Sequence, residues 1–451
     1  MEFVHLRRGL LPGGWGSDVR LGFAGGLIAA VEIGQPPAPD DARHAVGVPG
    51  IANLHSHAFQ RAMAGLAERR GPGSDTFWTW REVMYRFALS IGPEETEAVA
   101  ALLYAEMLEA GFTAVAEFHY LHHAPDGAPY DNIAELAERI VAAAAQTGIG
   151  LTLLPVFYAH GNFGGAAPGE GQRRFLNDPG RFARLLEASR AAVARLPGAR
   201  IGVAPHSLRA ATAAELAQVV GLAGDGPIHM HIAEQRKEIE DSLAWSGERP
   251  VAWLLRRFPV GPRWCLVHAT HMTPDETIGL AHSGAVAGLC PVTEANLGDG
   301  IFPAALFRQS GGQFGIGSDS NVQIGAAAEL RQLEYAQRLS HRERNVIAET
   351  GASTGRTLLA ATLAGGAQAL GGGRHGLAVG APADLVTLAT ANPLYAHLAD
   401  DRLLDAWVFS AGNALVDCVW ARGAKLVEGG RHRDKAALSA GFSQAMARLL
   451  Q

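Results

Sequence analysis

The central part of the chain alternates short apolar runs with amphipathic helical patterns, and this alternation restricts the possible folds more than any other feature. The strand-like runs are Val46–Leu54, Thr113–Phe118, Gly150–Val156, Arg200–Ala204, Ile228–Ile232, Trp264–Val267, Ala285–Leu289 and Gln313–Ile316. Helical patterns separate nearly all of them, for example Pro93–Ala110 and Asn132–Gln146, with Asp131 as a possible N-cap of the second. About eight strand–helix units are what a (β/α)8 barrel requires.

The two ends of the chain have a different pattern from the middle. Short β patterns bounded by glycine occur near both termini, for example Leu27–Glu32 and Val416–Ala421. We therefore predict an α/β protein in which a (β/α)8 TIM barrel, residues 49–371, is inserted into a small β-sandwich-like domain. Residues 1–48 plus 372–451 would build that second domain.

Composition places the chain among globular proteins and limits its partners. Hydrophobic residues make up 48% and charged residues 18%, which allows a large core, and a net charge of -6 gives no reason to expect nucleic acid as a partner. The three cysteines are widely spaced, so neither a disulfide framework nor a cysteine metal site is expected. The uncharged stretch Ile140–Ala159 contains glycines and a proline, which predict a helix end followed by a strand. With no signal-peptide pattern at the start, these features predict a cytoplasmic protein that does not enter a membrane.

A polar residue able to bind a metal or a substrate follows most of the strand-like runs. These residues are His55, His57, Glu117, His119, Tyr120, Tyr158, His160, His206, His231, Glu234, His268, Thr293, Glu294 and Asp319. The carboxyl ends of barrel strands converge on one mouth, where active sites of such barrels lie. Eighteen histidines scattered without function would not be expected at strand ends so often.

Part of this set has the composition of a hydrolytic metal site. Alternate residues of a strand point the same way, so His55 and His57 can reach one ion. His231 is followed three residues later by Glu234, a carboxylate that could shuttle protons, and Asp319 follows a glycine-containing strand. Three imidazoles and one carboxylate suit Zn²⁺, with one position left open for water, although iron or manganese would accept a similar set.

These motifs together resemble the deaminase branch of the amidohydrolase superfamily. The resemblance rests on the run Pro49–His57, on His231 with Glu234, on His268, and on Ser318-Asp319. The tail run 376–386 is also similar to the closing β domain of that superfamily. Two-metal members use a carboxylated lysine at the end of strand four, where this chain has His206, so the resemblance implies a single metal ion.

Four further segments resemble the formimidoylglutamate deiminase family of histidine degradation. They are His55–Gly65, Phe77–Arg81, Ala204–Arg209 and Cys290–Gly300. The resemblance implies that N-formimidoyl-L-glutamate is hydrolysed to N-formyl-L-glutamate and ammonia. It also implies that four residues hold the metal, namely His55, His57, His231 and Asp319.

The same resemblance implies roles for the remaining site residues. Asp319 would take the proton of a metal-activated water, Glu234 would pass a proton to the departing nitrogen, and His268 would orient the nucleophile and stabilise the tetrahedral intermediate. A dicarboxylate substrate needs cations and hydrogen-bond donors, and five residues are expected to supply them: Gln60, Arg81, Tyr120, His206 and Arg209. Four other histidines are expected to be solvated or to lie behind the site, namely His119, His122, His123 and His160, whereas nothing in the sequence decides the role of Arg61.

Three other functions are compatible with a barrel of this kind. A purine, pterin or triazine deaminase would favour aromatic stacking and would not need Arg81 and Arg209. A barrel that served only as a scaffold should have lost a ligand or an acid, and none of the six metal and acid–base residues is missing. A phosphate-binding barrel is disfavoured because no Gly-x-x-x-x-Gly-Lys loop occurs. By analogy with similar barrels, a homodimer is expected.

Overall fold

The computed structural model describes residues 2–451, which form a closed barrel joined to a mixed β-sheet. The strands are β1 (Glu2–Leu11), β2 (Gly14–Ala24), β3 (Leu27–Ile33), β4 (Ala42–Pro49), β5 (Ile51–Ser56), β6 (Phe112–His119), β7 (Gly150–Phe157), β8 (Arg200–Ile201), β9 (Ala204–Pro205), β10 (Ile228–Ile232), β11 (Trp264–His268), β12 (Val286–Leu289), β13 (Gln313–Ile316), β14 (Leu385–Leu388), β15 (Val416–Ala421), β16 (Ala424–Glu428) and β17 (Arg431–His432). The helices are α1 (Phe77–Ala88), α2 (Pro93–Glu109), α3 (Glu135–Thr147), α4 (Pro179–Val193), α5 (Ala213–Leu222), α6 (Arg236–Ser246), α7 (Pro250–Arg257), α8 (Pro274–Ser283), α9 (Pro291–Leu297), α10 (Ala304–Gln309), α11 (Ala326–His341), α12 (Thr354–Ala369), α13 (Asp401–Ala406) and α14 (Lys435–Leu449).

The barrel consists of two parallel sheets that meet at two seams. Strands β5 to β8 form one sheet, with β9 beside β7, and strands β10 to β13 form the other. Bridges between Ser56 and Asp319 and between Val203 and Ile228 join the two sheets. Helices connect the successive strands of the barrel, because parallel strands require a long crossover connection. The predicted TIM barrel is therefore confirmed.

Two predicted strands are interrupted by a glycine, at a point where a distant part of the chain leaves no room for a side chain. The run Val46–Leu54 divides at Gly50, so that β4 joins the terminal sheet and β5 starts the barrel. A Cβ at Gly50 would lie 2.3 Å from Thr113. The run Arg200–Ala204 divides in the same way at Gly202, where a Cβ would lie 2.3 Å from the carbonyl oxygen of Pro227. Treating each run as one strand was therefore wrong.

The start of α3 also differs from the prediction. The helix begins at Glu135, after a turn in which the Asn132 side chain accepts a hydrogen bond from the Ala134 amide at 3.1 Å. Asp131 is therefore not the N-cap. Other helix starts carry the expected signals, since Thr212 and Thr273 form capping boxes with Glu215 and Glu276. No helix within residues 2–451 is long and apolar enough to cross a membrane.

The second sheet is built from both ends of the chain, as predicted. Its eight strands run in the order β17-β16-β15-β14-β4-β1-β2-β3. The amide of Ile28 in β3 donates to the carbonyl of Ala381 at 2.9 Å, which brings the outer strand back to the segment before β14. The sheet thereby encloses an apolar core that includes Leu6, Leu385 and Trp420. Helix α14 packs on the barrel helix α2, and the division of the chain into residues 1–48 plus 372–451 and 49–371 stays a prediction.

Candidate active site

Four side chains from three strand ends converge at the carboxyl end of the barrel. The Nε2 atom of His55 lies 3.2 Å from Nε2 of His57 and 3.0 Å from Nε2 of His231. The Asp319 Oδ1 atom lies 3.4 Å from His55 Nε2 and 3.3 Å from His57 Nε2. All four residues are buried, and their ligand atoms lie within 4.8 Å of one another.

Backbone hydrogen bonds between the first and last barrel strands hold this cluster in place. The Asp319 amide donates to the His55 carbonyl, and the His57 amide donates to the Asp319 carbonyl, both at 3.0 Å. Asp319 adopts a φ of 45°, a conformation that is uncommon outside glycine and that occurs often at functional sites. The seam of the barrel therefore fixes three of the four side chains relative to one another.

The ring nitrogens of this cluster are arranged as metal ligands. The Nδ1 atoms of His57 and His231 lie 3.0 Å and 3.2 Å from the carbonyls of Phe118 and His206, to which Nδ1–H donates. Each Nε2 lone pair is thereby directed at the centre of the cluster, as in metal-ligating histidines. Burial lowers the pKa of His55 to about 3, which keeps its ring neutral. In a tetrahedral site with metal–nitrogen distances of about 2.0 Å, ligand atoms lie about 3.3 Å apart, so the observed spacing fits a divalent ion.

His268 lies beside the cluster and is surrounded by carboxylates. Its Nδ1 atom is 3.3 Å from Glu294 Oε1, and its Nε2 atom is 3.8 Å from both Glu234 Oε1 and Asp319 Oδ2. Burial disfavours the charged ring, but these carboxylates outweigh it and raise the pKa of His268 to about 10. An imidazolium held in this way can donate a hydrogen bond into the pocket.

Glu234 and Arg209 occupy the next position along the mouth. Burial raises the pKa of Glu234 to about 7, against the opposing charges of His268 and Arg209. Arg209 lies between two carboxylates, with Nη2 3.8 Å from Glu234 and Nε 3.8 Å from Glu238. Its buried Nε–H has no hydrogen-bond partner in the described chain. A carboxyl with a pKa near neutrality is suited to exchange protons.

The opposite wall of the pocket carries neutral hydrogen-bonding groups. The Gln60 side-chain amide donates to the Tyr120 hydroxyl at 2.7 Å, while the buried Gln60 Oε1 has no partner within residues 2–451. His206 packs against Tyr158 with ring centroids 4.6 Å apart and against His231 at 4.8 Å. These side chains lie at the ends of neighbouring strands, and their mutual hydrogen bonds and ring contacts fix their positions.

Helix α1 covers the mouth of the barrel. Thr76 starts it with a capping box that includes Thr79. Its inner side carries Arg81, whose Cζ lies 4.4 Å from the ring of Trp78 and 5.4 Å from the ring of Tyr85. Aromatic rings beside a guanidinium stabilise its charge and orient it.

One pocket connects these groups, so the structure brings the predicted site residues together. The eleven residues to which the sequence assigned a metal, acid–base or substrate-binding role all line it except His55, which lies beneath the base of the pocket with no exposed surface. The lining residues are His57, Gln60, Phe77, Trp80, Arg81, Met84, Tyr85, Tyr120, Tyr158, Phe175, His206, Arg209, His231, Glu234, His268, Leu297 and Asp319. The pocket thus has a metal-ligand cluster at its base and two guanidinium groups in its walls.

Known proteins share both the sequence and the fold of this chain. A sequence model of the amidohydrolase family matches residues 46–426, and one of the N-terminal domain of formimidoylglutamate deiminase HutF matches residues 1–45. A formimidoylglutamate deiminase from Pseudomonas aeruginosa is 50% identical over 456 residues, which cover 100% of both chains. This chain belongs to the formimidoylglutamate deiminases of the amidohydrolase family.

Solved structures agree with this membership. An amidohydrolase from Brucella melitensis is 58% identical, with a TM-score of 0.98 over 100% of both chains. An adenosine deaminase from Xanthomonas campestris with bound zinc has a TM-score of 0.80 and 24% identity over 99% of this chain and 98% of that one, which shows the shared fold alone.

Some residues of this deiminase site were not predicted from the sequence. Glu238 is fully buried in α6, accepts the Ala233 amide at 2.9 Å and lies beside Arg209. Its spacing of four residues from Glu234 was the only available signal. Tyr85 and Met84 line the pocket because one face of α1 turns inward, a fact that the helix pattern does not contain.

Other residues near the deiminase site have structural contacts. His122 and His123 are buried and donate from Nε2 to the carbonyls of Val156 and Leu176, both at 2.9 Å. His119 is buried as well, so none of these three is solvated. His160 pairs with Glu215 at 2.9 Å.

Arg61 points away from the pocket. It pairs with Glu106 at 2.8 Å and donates to the carbonyls of Asn321 and Val322 at 2.9 and 3.1 Å. Arg61 therefore ties the loop that follows Asp319 to the turn that follows His57.

Proposed function

We propose that this chain hydrolyses N-formimidoyl-L-glutamate to N-formyl-L-glutamate and ammonia, a step of histidine degradation. The observation that carries the proposal is a single pocket that combines a buried His/His/His/Asp cluster with two arginines, Arg81 and Arg209, in a member of this family. The cluster suits attack by water on a carbon–nitrogen double bond, and the arginines suit a substrate with two carboxylates. An aminated ring would use the aromatic walls but would leave both arginines without an anion.

His55, His57, His231 and Asp319 would hold one divalent ion, for which Zn²⁺ is our proposal. Zinc accepts this set of four nitrogen and oxygen ligands and can expand to five-coordination to take a water. The end of strand four has His206 rather than a lysine, which favours a single ion. When bound, the ion would lower the pKa of a water and polarise the formimidoyl group.

The chain's own residues would then move the protons. Asp319 accepts a proton from the attacking water, through the oxygen that faces His268. His268 donates a hydrogen bond to the oxygen that adds to the formimidoyl carbon. Glu234, whose pKa lies near 7, delivers a proton to the departing nitrogen, because ammonia leaves poorly unless it is protonated. The products are the formyl amide and ammonia, and the protons balance.

Substrate recognition would fall to the remaining walls of the pocket. Arg209 lies close to Glu234, so a carboxylate bound there would place the formimidoyl group near the acid. Arg81 on α1 is positioned for the second carboxylate at the mouth. Gln60, Tyr120 and His206 would contribute hydrogen bonds along the opposite wall.

Ammonia release from N-formimidoyl-L-glutamate by the purified chain, with metal content measured on the same sample, tests this proposal. We expect turnover with about one equivalent of metal, loss of turnover on chelation, and recovery on addition of Zn²⁺. Absence of turnover in a metal-loaded sample would reject the substrate and would direct attention to purines and related rings. Recovery of activity only at two equivalents would reject the single ion.

We further propose that the chain acts in the cytoplasm as a homodimer. Three buried, unpaired cysteines are consistent with a reducing compartment. Exposed apolar side chains on α11, such as Leu339 with 80% of its surface exposed, offer area for a second copy. Light scattering of the purified chain measures the mass, and a monomer at micromolar concentration would reject the dimer.

A further inference from the structure

A second group of metal-ligand atoms lies beside the His/His/His/Asp cluster and includes a thiol. One ring nitrogen of His268, the Sγ atom of Cys290 and a carboxylate oxygen of Asp319 lie within 4.8 Å of one another, and all three residues are buried. His268 Nε2 lies 3.8 Å from Asp319 Oδ2, compared with 3.0 to 3.4 Å between neighbouring ligand atoms of the first cluster. Bonds from a metal to sulfur are longer than bonds to nitrogen or oxygen, so a cation that binds the thiol fits this wider spacing.

Asp319 can serve both groups because its two oxygens face different neighbours. Oδ1 lies 3.4 Å from His55 Nε2 and 3.3 Å from His57 Nε2, whereas Oδ2 lies 3.8 Å from His268 Nε2. Glu234 Oε1 is also 3.8 Å from His268 Nε2, so a second carboxylate stands at this position. A cation between His268 and Asp319 would thus meet oxygen ligands without displacing the first cluster.

Cys290 is placed at the barrel mouth like the catalytic residues. It directly follows β12 and precedes the first residue of α9, and its amide donates to Glu294 Oε1 at 3.0 Å. Its side chain has no exposed surface. The carboxylates of Asp319 and Glu294 lie close to Cys290, and negative neighbours favour a cation.

We propose that His268, Cys290 and Asp319 form an inhibitory site for a second divalent cation that prefers sulfur, such as Cd²⁺. Thiolate and imidazole are the ligands that soft and borderline ions choose over hard ones. On binding, the S–H bond of Cys290 and the Nε2–H bond of the His268 imidazolium break, both protons leave to solvent, and sulfur, nitrogen and oxygen bonds to the cation form without any redox change. The cation would take the place of the Nε2 proton of His268 and would occupy Oδ2 of Asp319, both of which the proposed reaction uses, so the inhibitory part rests on the proposed function.

A cadmium titration of the zinc-loaded full chain tests the site directly, and it is made with Cys418→Ala as the background because Cys418 lies within the same distance limit of His44 and Asp417. We expect one additional equivalent of Cd²⁺ per chain, ultraviolet absorption of a cadmium thiolate, full retention of zinc, and loss of turnover in parallel with the absorption. Cys290→Ala should abolish the absorption and raise the inhibitory cadmium concentration at least about tenfold, with zinc content and basal turnover unchanged.

The other two cysteines provide matched controls. Cys265 is equally buried but belongs to neither ligand group, and Cys418 lies within 4.8 Å of His44 and Asp417 in the terminal sheet. Cys265→Ala and Cys418→Ala should both keep the absorption and the inhibition. If Cys290→Ala is poorly folded, Cys290→Ser retains the side-chain volume and should lose the thiolate absorption equally.

Three results would overturn the proposal. The first is thiolate absorption that persists in Cys290→Ala, the second is absorption that disappears in Cys418→Ala, and the third is zinc release in step with cadmium uptake. Absorption and stoichiometry do not depend on turnover, so a chain that fails to hydrolyse N-formimidoyl-L-glutamate would still report whether this site binds the cation.

Discussion

The floor and the cover of the pocket are built in different ways. The floor consists of strand-end residues such as His55 and Asp319, which are buried and linked by backbone hydrogen bonds across the barrel seam. The cover is helix α1, which follows a largely exposed segment, residues 64–76, and presents Arg81 from a half-buried position. A side chain on an element that is packed into the scaffold is held more precisely than one whose position depends on an exposed loop, as that of α1 does.

This difference predicts that the floor serves the chemical reaction and that the cover serves substrate binding. Reaction chemistry needs atoms held within a fraction of an ångström, and the floor supplies this. Recognition of a flexible substrate tolerates more movement, and a cover can also exclude water once the substrate is bound. Changes in the floor should therefore affect turnover and metal content, whereas changes in the cover should affect substrate affinity.

The largest effect is expected from Asp319→Ala. It removes a ligand and the proposed proton acceptor together, so kcat should fall by more than about 10,000-fold and metal retention should weaken. Steady-state ammonia release and metal analysis after dialysis measure both. Asp225→Ala, at an exposed position, is the control, and near-normal turnover in Asp319→Ala would remove Asp319 from the floor.

Glu234→Gln separates proton transfer from metal binding. The amide fills the same space but cannot deliver a proton, so kcat should fall by about 100- to 10,000-fold while the metal content stays at the wild-type value. Glu240→Gln, at an exposed position of α6, should leave both unchanged. Loss of metal in Glu234→Gln would mean that Glu234 supports the cluster rather than the acid–base step.

Arg81→Ala tests the cover. Loss of a charged contact to one carboxylate should raise KM by about 10- to 100-fold with a much smaller change in kcat. Arg86→Ala, at an exposed position of the same helix, is the matched control. Arg209→Ala should raise KM and lower kcat together, because Arg209 also lies beside Glu234. If Arg81→Ala mainly lowered kcat, the proposed division between floor and cover would be wrong.

Glu117→Gln should change stability and leave the chemistry nearly unaffected. Glu117 is buried beneath the floor, where it accepts the Ala58 amide at 2.6 Å and the Tyr104 hydroxyl at 3.2 Å. Burial raises its pKa from 4.5 to about 8. The stability that the neutral carboxyl provides is therefore complete below pH 4.5 and is lost as the pH rises through 8.

The variant carries no titrating group at this position, whereas the wild type loses stability as Glu117 ionises. The free energy of unfolding of the variant minus that of the wild type should therefore increase by about 3 kcal/mol between pH 5 and pH 8. Denaturant unfolding of both zinc-loaded proteins across this range measures the difference. Because both proteins share the metal site, its own pH dependence cancels. A difference that stays constant with pH would show that Glu117 is ionised in the folded chain.

The sequence predicted the strand-end residues of the pocket better than the contacts that loops and helices make, for a physical reason. His55, His57, His231 and Asp319 each follow an apolar run, and parallel strands in a barrel bring such positions together whatever the loops do. The contacts of Glu238 and Arg61 depend on which loops meet in space, and local patterns do not contain that information. The breaks at Gly50 and Gly202 were missed for the same reason, since a residue distant in the chain leaves no room for a Cβ at either position: the Thr113 side chain at Gly50 and the Pro227 carbonyl at Gly202.

The seam that joins the first and last barrel strands also orders events during synthesis of the chain. His55, His57 and His231 leave the ribosome well before Asp319, and the amides of His57 and Asp319 find their partners only when the eighth strand is in place. Until then, the nascent chain has the three imidazoles of the cluster but lacks its fourth group, the Asp319 carboxylate. The proposed metal ion would therefore be captured tightly only late in biogenesis, and it would mark a chain whose barrel has closed.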